Sequence, residues 1–526
     1  MDTIFLQENE TLEAARILCE GGLVAIPTET VYGLAANALD EKAVACIFEA
    51  KGRPQDNPLI VHISQMDDLV PLVTHIPETA KALAEAFWPG ALTMIFHRSA
   101  LVPSIVSAGL DTVAVRMPSC PITRDIIQKA GVPLAAPSAN MSGSPSPTTA
   151  SHVKNDLAGR VNAIVMGSDC TIGLESTVLD MTSKTPLLLR PGGITVEQIE
   201  SVVEKIDIAP SIFRDLVGSE AVKSPGMKYR HYAPKAPVIL IEGKQIHFTS
   251  YVNMYANKNT SVLCFDEESV DLQGLVFPYG TCHDHKTQAQ KLFTLLRQAD
   301  TPKTTAIFVH APSPDGLGLA VYNRLIKAAG YNVVRLPQII GITGPIGAGK
   351  SSIAAYFNKL FPVVDADHCT HYIVEEKLPE VLAEAFGRDI LTSDGCLDRK
   401  KLAQKAFVNK ENTEKLNAIT HPAITEYMDE QTNACFEAGH FRCFWDASQL
   451  FEAGNHIHCQ HIIGVVAEDE IRLQRVMERD GISKENALMR MKVQKSNAFF
   501  RENCDILIEN NGTHEELITK LEAIQL

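Results

Sequence analysis

The chain has 526 residues, of which 45% are hydrophobic and 21% charged, with a net charge of −15 at neutral pH. At about 150 residues per domain this exceeds a single hydrophobic core, so three or four units are expected, and no run of about 18 apolar residues exists to span a bilayer. The negative charge repels polyphosphate at long range, which disfavours an extended nucleic-acid surface and requires local cationic pockets for any anionic ligand.

The opening "MDTIFLQENETLEAARIL" carries acidic residues and lacks a basic region ahead of an apolar stretch, so no secretory signal and a cytoplasmic location are expected. Twelve cysteines lie scattered without a Cys-x-x-Cys pair, as expected of reduced, buried thiols rather than disulfides or a zinc ribbon.

Residues 1–206 alternate helical and strand patterns: "TLEAARILCEGG" has helical spacing and closes on Gly21 and Gly22, and "LVAIPTET" reads as a strand ending in a polar turn. With "PLIVHI", "LTMIFH", "TVAVRMP" and "AIVMG" as further strands, the spacing predicts a mixed α/β unit, a twisted sheet with helices against it, and "SGSPSPTTAS" (142–151) as loop. Residues 207–237, with "KSPGMKYRHYAPKAP", read as linker. A small Rossmann-like α/β unit follows at 238–336, with strands in "PVILIEG", "SVLCF" and "TAIFVHA" and helices in "KTQAQKLFTLLRQAD" and "GLAVYNRLIKAAG". The last unit, 338–526, opens on "QIIGITGPIGAGKSS" and is expected to be a P-loop fold with a parallel sheet.

In the first unit, cations stand at element ends. Lys51 and Arg53 flank Gly52 after a helix, Arg116 ends "TVAVR", and Arg190 follows "PLLL". Singly, each reads as a surface charge; together they could converge on an anion. The loops "PSANMSG" and "GLES" offer hydroxyls or are ordinary turns. The residues alone give an anion-binding domain, with an RNA phosphate backbone as the alternative ligand.

In the last unit, Gly344, Gly349, Lys350 and Ser351 satisfy G-x-x-x-x-G-K-[ST] between a β-branched strand and an amphipathic helix. Over Gly344, Pro345, Ile346, Gly347, Ala348, Gly349, Lys350, Ser351 and Ser352, backbone amides and a helix N-terminus suit phosphate oxygens. Lys350 suits the β and γ phosphates, and the Ser351 hydroxyl suits Mg²⁺. "PVVDAD" ends in Asp365 and Asp367, either a proton acceptor for an attacking hydroxyl or helix caps and magnesium support. Arg472, Arg475 and Arg479 fall on one helical face, as a lid over phosphate or as a solvated stripe. In "HIHCQH", a strand would put His456 and His458 on one face and Cys459 on the other, a poor zinc tetrahedron, so a polar loop is expected.

The series "PTETVYGL", "KGR", "NPLIVHI", "WPGALT", "AVRMP", "PSANMSG", "GLESTV" and "LLRPGG" resembles the threonylcarbamoyl-adenylate synthase family, and "SPGMKYRHYAP" with "GLGLAVYNRLIKAAG" resembles the linker and extra domain of its long form. The resemblance implies condensation of L-threonine, bicarbonate or CO2, and ATP, with pyrophosphate released. Other proteins then transfer the threonylcarbamoyl group to tRNA. It implies Lys51 and Arg53 as catalytic cations that also bind the ATP phosphates, and Thr30, His62, Arg116, Ala136 and Ser176 around threonine. Asn57, Thr112, Ser138, Asn140, Ser146, Arg190 and His231 are implied on ATP. Tyr229, Arg230 and His231 are implied either to fold over the site or to act as a passive spacer.

"GITGPIGAGKSS", "VVDAD", "DGCLDRKKLAQKAFVNKENTEKLNAITHP", "LFEAG" and "ERDGIS", in that order, resemble dephospho-CoA kinase. This implies γ-phosphoryl transfer from ATP to the ribose 3′-hydroxyl of dephospho-CoA, favours Asp367 over Asp365 as the base, and puts Arg475 and Arg479 in a lid. Three features depart from that family: Pro345 inside the loop, Ser448 and Gln449 in "SQLFE", and no proline after Gln494. They leave a catalytically degenerate scaffold as the alternative for this unit. Mg²⁺ with ATP is the expected cofactor, without a tightly bound organic one; no membrane partner and no extended nucleic-acid contact are expected.

Overall fold

The structure is a computed structural model that describes residues 2–214 and 232–524. The chain forms two compact units, one of 1–243 with 252–334 and one of 244–251 with 335–526. The described residues contain no helix long and apolar enough to cross a membrane.

The first unit holds an eleven-stranded mixed sheet among its described residues, in the order Ile4–Gln7, Ala163–Met166, Val24–Ile26, Gly33–Asn37, Leu134–Ala135, Ile60–His62, Thr112–Arg116, Leu92–His97, Thr177–Asp180, Leu187–Arg190 and Asp207–Ile208. Alternation along the strands serves two apolar layers. Val24, Ile26 and Ala35 face one core, with helices Thr11–Cys19 and Pro121–Ala130, while Ala25, Leu34 and Ala36 face the other, with Glu41–Lys51 and Glu78–Phe87. Asp207–Ile208 pairs in parallel with Leu187–Leu188, so the sheet runs past residue 206 into the expected linker. A helix starting at Ala150 takes the end of the expected 142–151 loop, its first turn capped by the Thr149 hydroxyl.

The same unit carries a second sheet, ordered Leu275–Pro278, Thr260–Cys264, Ala306–His310, Val238–Glu242, Val333–Arg335. Its helices His285–Ala299 and Gly318–Ala328 match the apolar spacing in sequence, whereas the two outer strands escaped it. The apolar layer of this sheet includes Val31 and Leu174 from loops of the large sheet.

The other unit is built on five parallel strands, ordered Val363–Asp365, Arg442–Asp446, Gln338–Thr343, His461–Val466, Ile506–Glu509. Strand Gln338–Thr343 runs through the glycine loop into helix Lys350–Phe357, placing the loop at the carboxyl edge of the sheet, where open parallel sheets bind ligands.

Candidate active sites

In the first unit a cavity of about 70 Å³ is walled by Arg53, Arg116 and Arg190, with His62, Ser138 and Ser176 between them. Each cation comes from a different element end. Asp40 caps helix Glu41–Lys51 through its side chain, and Gly52, at φ 61°, stops it, so the chain turns back and aims Arg53 inward. Arg116 and Arg190 are the last residues of their strands.

Arg116 is 4% exposed, and its guanidinium is fixed by donating to the Thr30 hydroxyl at 2.8 Å and to the Gly90 carbonyl, and by a 2.7 Å pair with Glu29. Burial alone would raise the Glu29 carboxyl, but the Arg116 charge and the Ser119 amide outweigh it and hold the group below its usual range. Burial, then Arg116, pushes His62 down to about 3, so the imidazole is neutral, with its Nδ1 3.2 Å from the Ile60 carbonyl. Arg190 donates to the Ser176 carbonyl and hydroxyl, and that hydroxyl lies 2.7 Å from Thr93. Arg53, lowered to about 10 by burial, remains a cation at neutral pH and donates to the Asn57 and Pro58 carbonyls. Asn57 Oδ1 is buried without a hydrogen-bond partner among the described residues.

Lys51 does not line this cavity. Its ammonium sits against the carbonyls of Ser138 and Asn140 and 3.4 Å from Asn140 Oδ1. Burial, then Arg53, pushes its pKa well down, with the Asp156 charge acting the other way. Asn140 Oδ1 accepts from Ser138, and its amide donates to the carbonyls of Met141 and Ser144, so Lys51 and Asn140 together shape the loop that presents Ser138. Ala136 is in the wall. Thr112 and Ser146 are not; continuing the register of Ile60 with Ala114 puts Thr112 beside Pro58, and Ser146 donates to Glu175 at 2.5 Å. Tyr229, Arg230 and His231 lie outside the described residues. Sequence reading missed Tyr232 and Glu175, both wall residues. Tyr232 directly follows the quoted "KYRH", but its inward position depends on a φ of 64° that no local signal announces.

In the second unit the loop glycines are sterically required. A Cβ on Gly344 would meet the Val465 carbonyl at 2.3 Å, and one on Gly349 would meet the Asn510 side chain at 2.2 Å. Pro345 supplies no amide, and the next amide, of Ile346, donates to Gln494 Oε1 at 2.7 Å. Lys350 pairs with Asp446, the last residue of its strand and one that sequence reading overlooked; the signal was the strand "RCFWD" ending in a carboxylate. Asp365 stands in register with Asp446.

Asp365 also caps helix Ala366–Tyr372, accepting from the Asp367 and His368 amides, which leaves the Asp367 carboxylate to a cleft of about 440 Å³ shared with Arg399, His421, Ser448 and Gln449. The three arginines of helix Asp469–Asp480 differ in place. Arg472 is 4% exposed and donates to the Ile346 carbonyl, bracing the loop from beneath. Arg475 donates to the Asn510 carbonyl, and exposed Arg479 pairs with Asp480.

The described residues hold no group of three or more His, Cys, Asp or Glu side chains fit to bind a metal. Asn455–His458 is a 3₁₀ turn within the polar loop expected there; His456 lies on Phe451 and His458 near Trp445. Magnesium needs only one or two carboxylates beside phosphate and water, and the hydroxyl of Ser351 with Asp446 and Asp365 is an oxygen donor set of that kind.

Buried arginines around a cavity in one unit, and a glycine-rich phosphate loop at the carboxyl edge of a parallel sheet in the other, define an α/β enzyme with two nucleotide-handling sites. Comparisons with known proteins agree. The family model described as "Telomere recombination" matches residues 16–192, that of the threonylcarbamoyl-AMP synthase C-terminal domain 194–330, and that of dephospho-CoA kinase 338–516. The chain is 45% identical over 344 residues to threonylcarbamoyl-AMP synthase of Pyrococcus abyssi, covering 64% of this chain and all of that one. It is 39% identical over 187 residues to dephospho-CoA kinase of Fusobacterium nucleatum, covering 35% of this chain and 95% of that one. The crystal structure of P. abyssi Sua5 complexed with L-threonine superposes with a TM-score of 0.59 at 43% identity, over 64% of this chain and 99% of that one. The chain belongs to the threonylcarbamoyl-AMP synthase family and, through its last third, to the dephospho-CoA kinase family: it is a fusion of two enzymes.

Proposed function

We propose that the first site forms L-threonylcarbamoyladenylate from L-threonine, bicarbonate or CO2, and ATP, and that the second phosphorylates the 3′-hydroxyl of dephospho-CoA. The observation that carries the first reading is the convergence of Arg53, Arg116 and Arg190 beside a neutral His62. Two anions, a carbamate and a triphosphate, must meet there, and fixed positive charge in a water-poor cavity offsets their repulsion. Arg116, braced by Thr30 and Glu29, takes the threonine carboxylate, and His62, Ala136 and Ser176 orient the rest of the amino acid. The threonine amine adds to CO2 and loses a proton to solvent. The resulting carbamate oxygen attacks the α-phosphorus, and pyrophosphate leaves against Arg53 and Arg190. Asn57, Thr112, Ser138, Asn140, Ser146 and His231 hold the nucleotide, with Lys51 acting through the Ser138 loop. Other proteins pass the threonylcarbamoyl group to tRNA.

In the kinase site Lys350 and the loop amides hold the ATP phosphates, Asp367 accepts the proton of the attacking hydroxyl, and Arg475 and Arg479 belong to the lid. Bound magnesium neutralises phosphate charge and would be held by Ser351, Asp446 and Asp365. The twelve cysteines are all free, which supports a reducing, cytoplasmic setting for both reactions.

The test measures pyrophosphate release with and without threonine and bicarbonate, and ADP release with and without dephospho-CoA, on the full chain. Retention of tRNA without threonine-dependent turnover would replace the first reading with RNA binding. Absence of ADP release from folded protein would make the last unit a scaffold.

A further inference from the structure

The wall of the first cavity includes Glu175, a buried carboxylate with no part in the chemistry above. Its partner is Arg324, on helix Gly318–Ala328 of the second sheet and 0% exposed. Arg324 Nε donates to Glu175 Oε2 at 2.6 Å, and Nη1 donates to the Pro191 carbonyl at 2.9 Å and to Asn323 Oδ1 at 3.0 Å. Asn323 is fixed in turn by donating to the Ile212 carbonyl. The other Glu175 oxygen accepts from Ser146. One guanidinium thus grips the residue before Ser176 and the residue after Arg190, and its influence reaches Ser146 through a carboxylate. A second arginine of the same sheet, Arg297 on helix His285–Ala299, makes a two-pronged pair with Asp156 and donates to the Pro145 carbonyl, next to Ser146.

Charge explains why a carboxylate is tolerable in a phosphate site. Alone, Glu175 would repel the triphosphate and draw Arg190 toward itself; paired with Arg324 it is neutralised, and Arg190 keeps its charge for the ligand. We propose that Arg324 is a positioning residue for the adenylate-forming reaction, so that the small second domain completes the nucleotide side of the first site from behind. This rests on the synthase reading above.

The test uses the full chain, with dephospho-CoA-dependent ADP release as an internal control of chain concentration and thermal unfolding of the first unit as the control of its folding. In Arg324→Met, KM for ATP in the synthase reaction rises about tenfold or more and KM for threonine rises less, because Arg116 and Thr30 do not touch this network and only Ser176, next to Glu175, links it to threonine. Adding Glu175→Gln to that variant removes the stranded charge and recovers most of the loss, and the unequal rise of the two KM values, which a general loss of structure would not produce, marks the effect as local. Wild-type constants in Arg324→Met, or equal rises in both KM values without rescue, would overturn the proposal. If Arg324→Met does not fold, Arg324→Lys, which keeps the charge but not the two-sided grip, decides: a raised KM for ATP supports the proposal and unchanged constants refute it. A wild-type chain with no threonine-dependent pyrophosphate release would instead remove the synthase reading.

Discussion

The ammonium of Lys51 lies 2.5 Å from the carbonyl oxygen of Asn140, on the far side of the loop that presents Ser138 to the cavity. A lysine expected to face phosphate is therefore engaged in holding peptide carbonyls. Lys51→Met leaves the Ser138 and Asn140 carbonyls buried without a donor, and unpartnered buried acceptors drive rearrangement. The expected outcome is a loss of roughly a hundredfold or more in threonine-dependent pyrophosphate release, with ADP release in the same preparation unchanged. Loss of both activities in folded protein would contradict independent sites.

Glu29 and Arg116 form a buried pair that aims one guanidinium. Glu29→Gln keeps the shape and removes the charge, freeing Arg116 to swing. KM for threonine is expected to rise about tenfold while KM for ATP holds, since breaking one side of a buried pair costs most where the pair does its orienting. Steady-state constants for each substrate check this.

His62 has a direct stability signature. Its folded pKa, about 3, lies below that of an exposed histidine, so between about pH 6.5 and 3 the unfolded chain binds the proton and the folded chain does not. Stability therefore falls as pH drops through this window, by roughly 1.4 kcal/mol per pH unit from this one group. Denaturant unfolding of wild type and His62→Gln, followed by circular dichroism, should diverge progressively below pH 6.5 and run parallel above it.

In the kinase loop, Pro345→Gly adds one backbone donor and frees φ, so ATP should bind a few-fold tighter, a shift of about 1 kcal/mol from one hydrogen bond. Lys350→Ala should abolish dephospho-CoA-dependent ADP release and leave pyrophosphate release intact. Titration calorimetry with ATP checks the first and the paired assays the second.

The phosphate loop was legible because its function is written locally, as strand, glycine spacing, lysine and helix in one continuous stretch. Arg116 and Arg190 could be read as strand-end cations because each closes a short apolar run, "TVAV" and "LLL", that is buried almost throughout. Glu175 and Asp446 were not, since each owes its position to a distant partner, Glu175 to Arg324, 149 residues away, and Asp446 to Lys350, 96 away; Tyr232 was not, since it owes its position to a positive φ. The arginines of "EIRLQRVMER" show the same limit. Helical spacing placed them on one helix, but burial under the loop separates Arg472 from Arg479. Short strands such as Asp207–Ile208 carry too few residues for alternation to register.

Asn510 donates its side-chain amide to the Ala348 carbonyl, and the two residues are 162 positions apart. A ribosome emits the glycine loop long before it emits this brace. The first catalytic unit is already complete in the nascent polypeptide at that stage, whereas the second nucleotide cradle gains its rigid floor only when the strand preceding Asn510 leaves the exit tunnel and slots into place. Translation therefore arms the two enzymes in sequence, and the one encoded last is also the one whose ATP pocket is finished last.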